Sequence, residues 1–218
     1  MMGWCSLPLA RAYAFGVYAD TQLLGYARAL QAARPSGSAA ALSQLLLDQL
    51  ERTHALGAAA GRGSGQPGCL LIALQLHRDT DGPHLGHGFE RSVQVRLSQI
   101  ERARLEPVAD SARAREELRS LTATLHAAGT FAAGEELVFT WSPALGWLEL
   151  AASSGRVLHR LTHPTLCRAL CDMYVGREAV SRAGAASFQA NLFAHAAEGV
   201  EQGPQLWQRV EAEYAASR

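Results

Sequence analysis

Between residues 135 and 180 the spacing of apolar residues changes from two to three or four, and the predicted structure changes with it. Leu137, Phe139 and Trp141 alternate with Val138 and Thr140, which is strand spacing. Ser142-Pro143 marks a turn, and residues 145–150 resume an extended apolar run. Ser153-Ser154-Gly155 marks a second turn, and residues 156–161 can form a third strand. A helix then follows. Thr162 is its predicted N-cap, and Pro164 is tolerated in the first turn because the N–H it lacks would have no intrahelical partner. Leu166, Leu170, Met173 and Tyr174 share one face of this amphipathic helix, and Gly176 stops it. A meander laid on a helix is half of a two-layer domain.

The rest of the chain supplies more of both layers. Along residues 7–19, Leu7, Leu9, Tyr13, Phe15 and Val17 share one parity, with Ala10, Ala12 and Ala14 on the other. That predicts a strand with one bulky and one small face, with Arg11 on the bulky side and little chain ahead of it. Asp20 can cap a helix over 21–33 carrying Leu23, Leu24, Ala27 and Leu30, which residues 35–38 end. A second helix over 39–56 places Leu42, Leu45, Leu46 and Leu50 at helical spacing. Residues 57–68 are low in complexity, predict a loop, and do not match a phosphate-binding loop pattern. Residues 69–77 read as a strand covered on both faces.

After a turn at 78–82, residues 83–106 predict a helix with Leu85, Phe89, Val93, Leu97 and Ile100 inward. Further helices follow over 112–127 (Leu118, Leu121, Leu125), 183–197 (Phe188, Leu192, Phe193) and 205–215 (Leu206, Trp207, Val210, Tyr214). No period repeats, so residues 1–218 read as a single α+β domain.

Composition narrows the function more than the fold. Twenty basic residues balance twenty acidic ones, and lysine is absent. Zero net charge gives no electrostatic case for nucleic acid or an anionic membrane surface. No apolar run is long enough to cross a membrane, and residues 1–10 show no targeting peptide. Cys5, Cys69, Cys167 and Cys171 read as buried reduced thiols. His84 and His87, beside Asp79 and Asp81, read as a solvated helix start rather than a metal site. Ser92 has no histidine at a recognisable spacing, so nucleophilic catalysis is unsupported.

Three blocks resemble the chalcone isomerase family: RAYAFGVYAD at 11–20, RDTDGPHLGHGFERSV at 78–93, and GEELVFTW with LTHPTLCRALCDMYVGREAVS within 134–181. The third is the most specific, matching in apolar pattern, turns, Pro, Tyr and Gly. The resemblance implies an open-faced β-sandwich, an antiparallel sheet with a helical layer on one face and a ligand cleft between them. It also implies a hairpin ahead of the first strand.

The family's isomerases close a chalcone ring, which needs a cation and oriented donors on a developing enolate. They use an early Arg, a strand Thr, a Tyr and an Asn on the second-block helix, and a late Thr or Ser. In this chain those positions hold Tyr13, Leu85, Ser92 and Met173 (with Tyr174 beside it), and the early Arg would fall at or before Met1. The family's fatty-acid-binding branch instead uses a Tyr with an Arg to hold a carboxylate. The resemblance therefore implies a non-catalytic protein, without cofactor, that binds a fatty acid or similar amphipathic small molecule. The tail would lie among Phe15, Leu85, Phe89, Leu170 and Met173, and the head near Tyr13, with Arg11 standing in for the missing cation. Intramolecular lyase activity on a chalcone-like, flavonoid-type substrate is the alternative, and a structural or degenerate relative with its cleft filled is the third reading. The resemblance also suggests a plastid or mitochondrion.

Overall fold

Strand alternation from five separate parts of the chain converges on one apolar sheet face. The computed structural model describes residues 2–7, 10–34, 36–60, 68–104, 108–177 and 179–198. Its strands are β1 (Met2–Leu7), β2 (Ala10–Ala19), β3 (Leu70–Leu76), β4 (Thr80–Asp81), β5 (Thr130–Phe131), β6 (Glu136–Ser142), β7 (Trp147–Ala152) and β8 (Val157–Leu161). Six of them form an antiparallel sheet in the order β1-β2-β3-β6-β7-β8, open at both edges. Register stacks the large residues in rows across it. Phe15, Leu74, Leu137 and Ala152 make one row, and Val17, Ile72, Phe139 and Leu150 the next. The other face is more polar: Gln75 is exposed, Thr140 is half-buried, and Arg160 lies over Trp147 while pairing with Glu149.

Three details of the strands differ from the sequence reading, the first being that β7 starts at Trp147 rather than at residue 145, because Pro143–Leu145 form a 3-10 turn. Residues 2–7 are themselves a strand, antiparallel to β2, so among the described residues one strand, not a hairpin, lies ahead of β2, and Leu7 belongs to it. Alternation has the same period in β1 and β2, so spacing alone does not divide them. The turn at 78–82 contains β4, which pairs with β5 just before β6. Two-residue strands are too short to show a period.

The helices are α1 (Thr21–Ala33), α2 (Ala39–Ala60), α3 (Gly82–Arg104), α4 (Val108–Ala128), α5 (Pro164–Val175) and α6 (Arg182–Glu198). Asp20 caps α1 as its sequence position predicts, accepting from the Leu23 N–H at 2.8 Å and also from Cys69 N–H of the incoming β3. α2 runs four residues beyond its predicted end, into the alanine-rich start of the 57–68 stretch. Residues 61–67 and the helix expected over 205–215 lie outside the described residues.

α5 is the hub of the helical layer: α2, α3, α4 and α6 pack round it, and β7 lies beneath. Every residue from Thr165 to Val175 is buried. Its apolar face was expected, but the opposite face is buried too, because Arg168 and Asp172 meet polar partners on α2 and α3 instead of water. Each large apolar side chain so buried contributes about 1.5–3 kcal/mol. Its cap also differs: His163, not Thr162, is the N-cap, and its own side chain makes no cap hydrogen bond. Gly176 ends α5 in extended backbone, and a Cβ there would overlap the Asp172 carboxylate, so space rather than a left-handed turn demands the glycine.

Two helical glycines have no such reason. A Cβ at Gly25 in α1 or Gly88 in α3 would meet nothing within 4 Å. Gly25→Ala and Gly88→Ala should each raise stability by about 0.5–1 kcal/mol, read as a higher midpoint in urea unfolding, because alanine loses less backbone entropy on entering a helix.

Candidate functional site

The site implied by the sequence lies where β2 and β6 face α3 and α5. Phe15 on β2 and Tyr174 on α5 meet edge to face, with ring centroids 5.2 Å apart. Phe89 on α3 meets Phe139 on β6 in the same way at 5.3 Å. Leu85, Leu170 and Met173 belong to the same buried cluster as these rings. Phe15 and Met173 are 2% exposed, Leu170 and Tyr174 0%. These side chains pack on one another, so a ligand tail can enter among them only if α3 and α5 shift outward from the sheet.

Tyr13 is half-buried, opposite Leu76 in the register, one row beyond Phe15. It marks the rim of the apolar slab. Arg11 is a residue of β2 opposite Ser6, and its side chain lies outside what is described. Ser92 shares a face of α3 with Leu85 and Phe89 at helical spacing, and its carbonyl accepts from Arg96 Nη1 at 2.7 Å.

Two groups of polar residues went unread in the sequence. The first joins α2, α3 and α5. Arg168 donates to Asp48 Oδ1 at 2.7 and 3.1 Å and to Gln44 Oε1, and approaches Glu51 at 3.3 Å. Gln44 donates in turn to Asp172, which Arg96 approaches at 3.7 Å. The second joins α2, α4, β6 and the start of α5 through His54, Glu117, Trp141 and Thr162. Helical spacing places Arg168 and Asp172 four residues apart, but the sequence carries no signal for their partners.

Cys167 and Cys171 are buried, and burial pushes both thiols well above the usual range. Cys69 lies 3.2 Å from Ser142 Oγ, and burial raises its thiol as well. His84 and His87 are exposed. Asp81 accepts from the His84 backbone N–H and Asp79 from that of Ala133, so both carboxylates serve the backbone. No group of three or more metal-ligating side chains converges among the described residues. No described helix is long and apolar enough to cross a membrane.

The family profile described as chalcone isomerase like matches residues 7–188. This chain belongs to the chalcone isomerase-like family. No curated protein matches it in sequence. Among solved structures, it is similar to the crystal structure of a fatty-acid binding protein from Arabidopsis thaliana, at 20% identity. That similarity has a TM-score of 0.60 and covers 89% of this chain and 87% of the Arabidopsis one. It shows that this chalcone isomerase-like chain has the same fold: an antiparallel sheet, not closed, with its helical layer on one face.

Proposed function

We propose that this protein is a non-catalytic member of its family that holds a fatty acid or similar amphipathic small molecule between its sheet and helices. One observation carries the reading. The slab between β2, β6, α3 and α5 is apolar, and Leu85 and Met173 are buried at the positions where the resemblance gives an isomerase its hydroxyl donors. Ring closure needs those donors on the enolate as charge develops. An alkyl chain needs none, and gains from burial in proportion to its length. The fold shared with a fatty-acid binding protein supports the same reading. Tyr13 at the rim would accept the head group, with Arg11 as the cation.

Native mass spectrometry and titration with a fluorescent fatty-acid analogue test this. Co-purified lipid or saturable binding is expected. Tyr13→Phe should weaken binding roughly five-fold, the loss of about one net hydrogen bond. Arg11→Ala should weaken it more, since the lost bond is charge-assisted. Loss of chalcone absorbance well above the spontaneous rate would instead establish the lyase, and absence of saturable binding would reject the carrier.

A further inference from the structure

His54 is 0% exposed although Ala55 and Leu56, its neighbours on α2, are exposed. Both ring nitrogens are engaged. Trp141 Nε1–H on β6 donates to Nδ1 at 2.9 Å, and Nε2 lies 2.8 Å from the carbonyl oxygen of Thr162. An indole nitrogen can only donate and a carbonyl can only accept. The imidazole is therefore neutral, with its proton on Nε2. A second proton would set an N–H at Nδ1 against the indole N–H, in a site closed to water.

Thr162 is the residue before the N-cap of α5. Glu117 on α4 holds it from the other side, accepting from the backbone N–H of Thr162 at 3.0 Å, from that of His163 at 2.9 Å, and from the Thr162 hydroxyl. The junction between β8 and α5 is thus pinned twice, by a carboxylate from α4 and by an imidazole that also grips the sheet. The charged and titratable groups around His54 are Glu51 on α2, Glu117 on α4 and His163 at the junction. Glu51 is also met by Arg168, and the buried Nδ1 of His163 has no hydrogen-bond partner among the described residues.

We propose that His54 is a pH-sensitive positioning residue that latches the start of α5 to the sheet, and that protonating its imidazole releases that end of the helix. Burial lowers its pKa, while the bond to Thr162 and the nearby Glu117 oppose that shift in part. The folded pKa lies below the unfolded value of about 6.5. The latch is therefore intact above that pH and is lost as pH falls through the folded value. Its working does not depend on the binding reading, because it needs no ligand.

The test uses the whole ligand-free chain labelled with 15N in histidine and tryptophan. At neutral pH His54 should show the Nε2–H tautomer and a protected Trp141 indole proton. As His54 protonates on acidification, exchange of that proton should accelerate roughly ten-fold or more. His54→Gln offers an oxygen to Trp141 and an N–H to Thr162, and should abolish the acid-induced loosening. Trp141→Phe removes the opposing donor and should raise the pH at which His54 protonates, an effect a purely structural histidine would not show. The Nδ1–H tautomer, or Trp141 protection unchanged while His54 titrates, would overturn the proposal. So would loosening that tracks His163 while His54 stays neutral.

Discussion

Replacing Arg168 with alanine should lower the free energy of unfolding by about 3–5 kcal/mol, seen as a large drop in the urea midpoint at unchanged slope. Arg168 is 8% exposed and carries a charge in the middle of the helical layer. It stays there because Asp48, Glu51 and Gln44 on successive turns of α2 receive its guanidinium. Alanine leaves the Glu51 carboxylate, 5% exposed, without that cation. Asp48 matters less, since its side chain reaches water. The cost is one of taking the Arg168 cation from a buried carboxylate, not of losing a favourable pair. The double variant Arg168→Met with Glu51→Leu, which removes both buried charges and keeps apolar bulk, should therefore recover most of the loss. If it unfolds as easily as Arg168→Ala, the account of the network is wrong.

Gly82→Ala should cost about 3 kcal/mol or more. Gly82 opens α3, where it crosses the end of α4, and its N–H donates to the Gly129 carbonyl at 2.6 Å. A Cβ would overlap the Leu125 carbonyl and come within 2.9 Å of the Gly129 oxygen. Both obstacles are backbone, so neither can rotate away, and α3 must part from α4. Gly86→Ala, one turn on, meets the His126 and Thr122 side chains instead. Those can move, so it should cost clearly less than Gly82→Ala. Calorimetry of the two variants side by side decides it, and equal melting temperatures would sink the steric argument.

Both predictions concern contacts that join distant parts of the chain, and here the sequence falls silent. What it determines is local. The two-residue alternation of Leu137, Phe139 and Trp141 and the helical spacing of Leu85, Phe89, Val93 and Leu97 are fixed by backbone geometry alone, and the structure follows them closely. Asp20, Pro164 and Gly176 mark helix ends for equally local reasons. The residues implied for the binding slab came from a resemblance, and the tertiary structure brings Phe15, Leu85, Phe89, Leu170, Met173 and Tyr174 into one buried cluster. Whether that cluster parts for a ligand depends on how firmly α5 is held.

That firmness is a tertiary matter. Trp141 and His54 are 87 residues apart, and Arg168 and Asp48 are 120 apart. Helical spacing puts His54 four residues after Leu50, on the apolar stripe of α2, but it does not say what either ring nitrogen bonds. Likewise, residues 166–175 show one apolar face, which predicts a helix with a wet side. Only the arrival of α2 and α3 over that side buries it. Periodicity records which way a side chain leaves its own backbone, and so the sequence by itself settles most of the longer elements and their inner faces. Partners for buried polar groups are chosen by where the other elements finally lie, and that the folded chain alone decides.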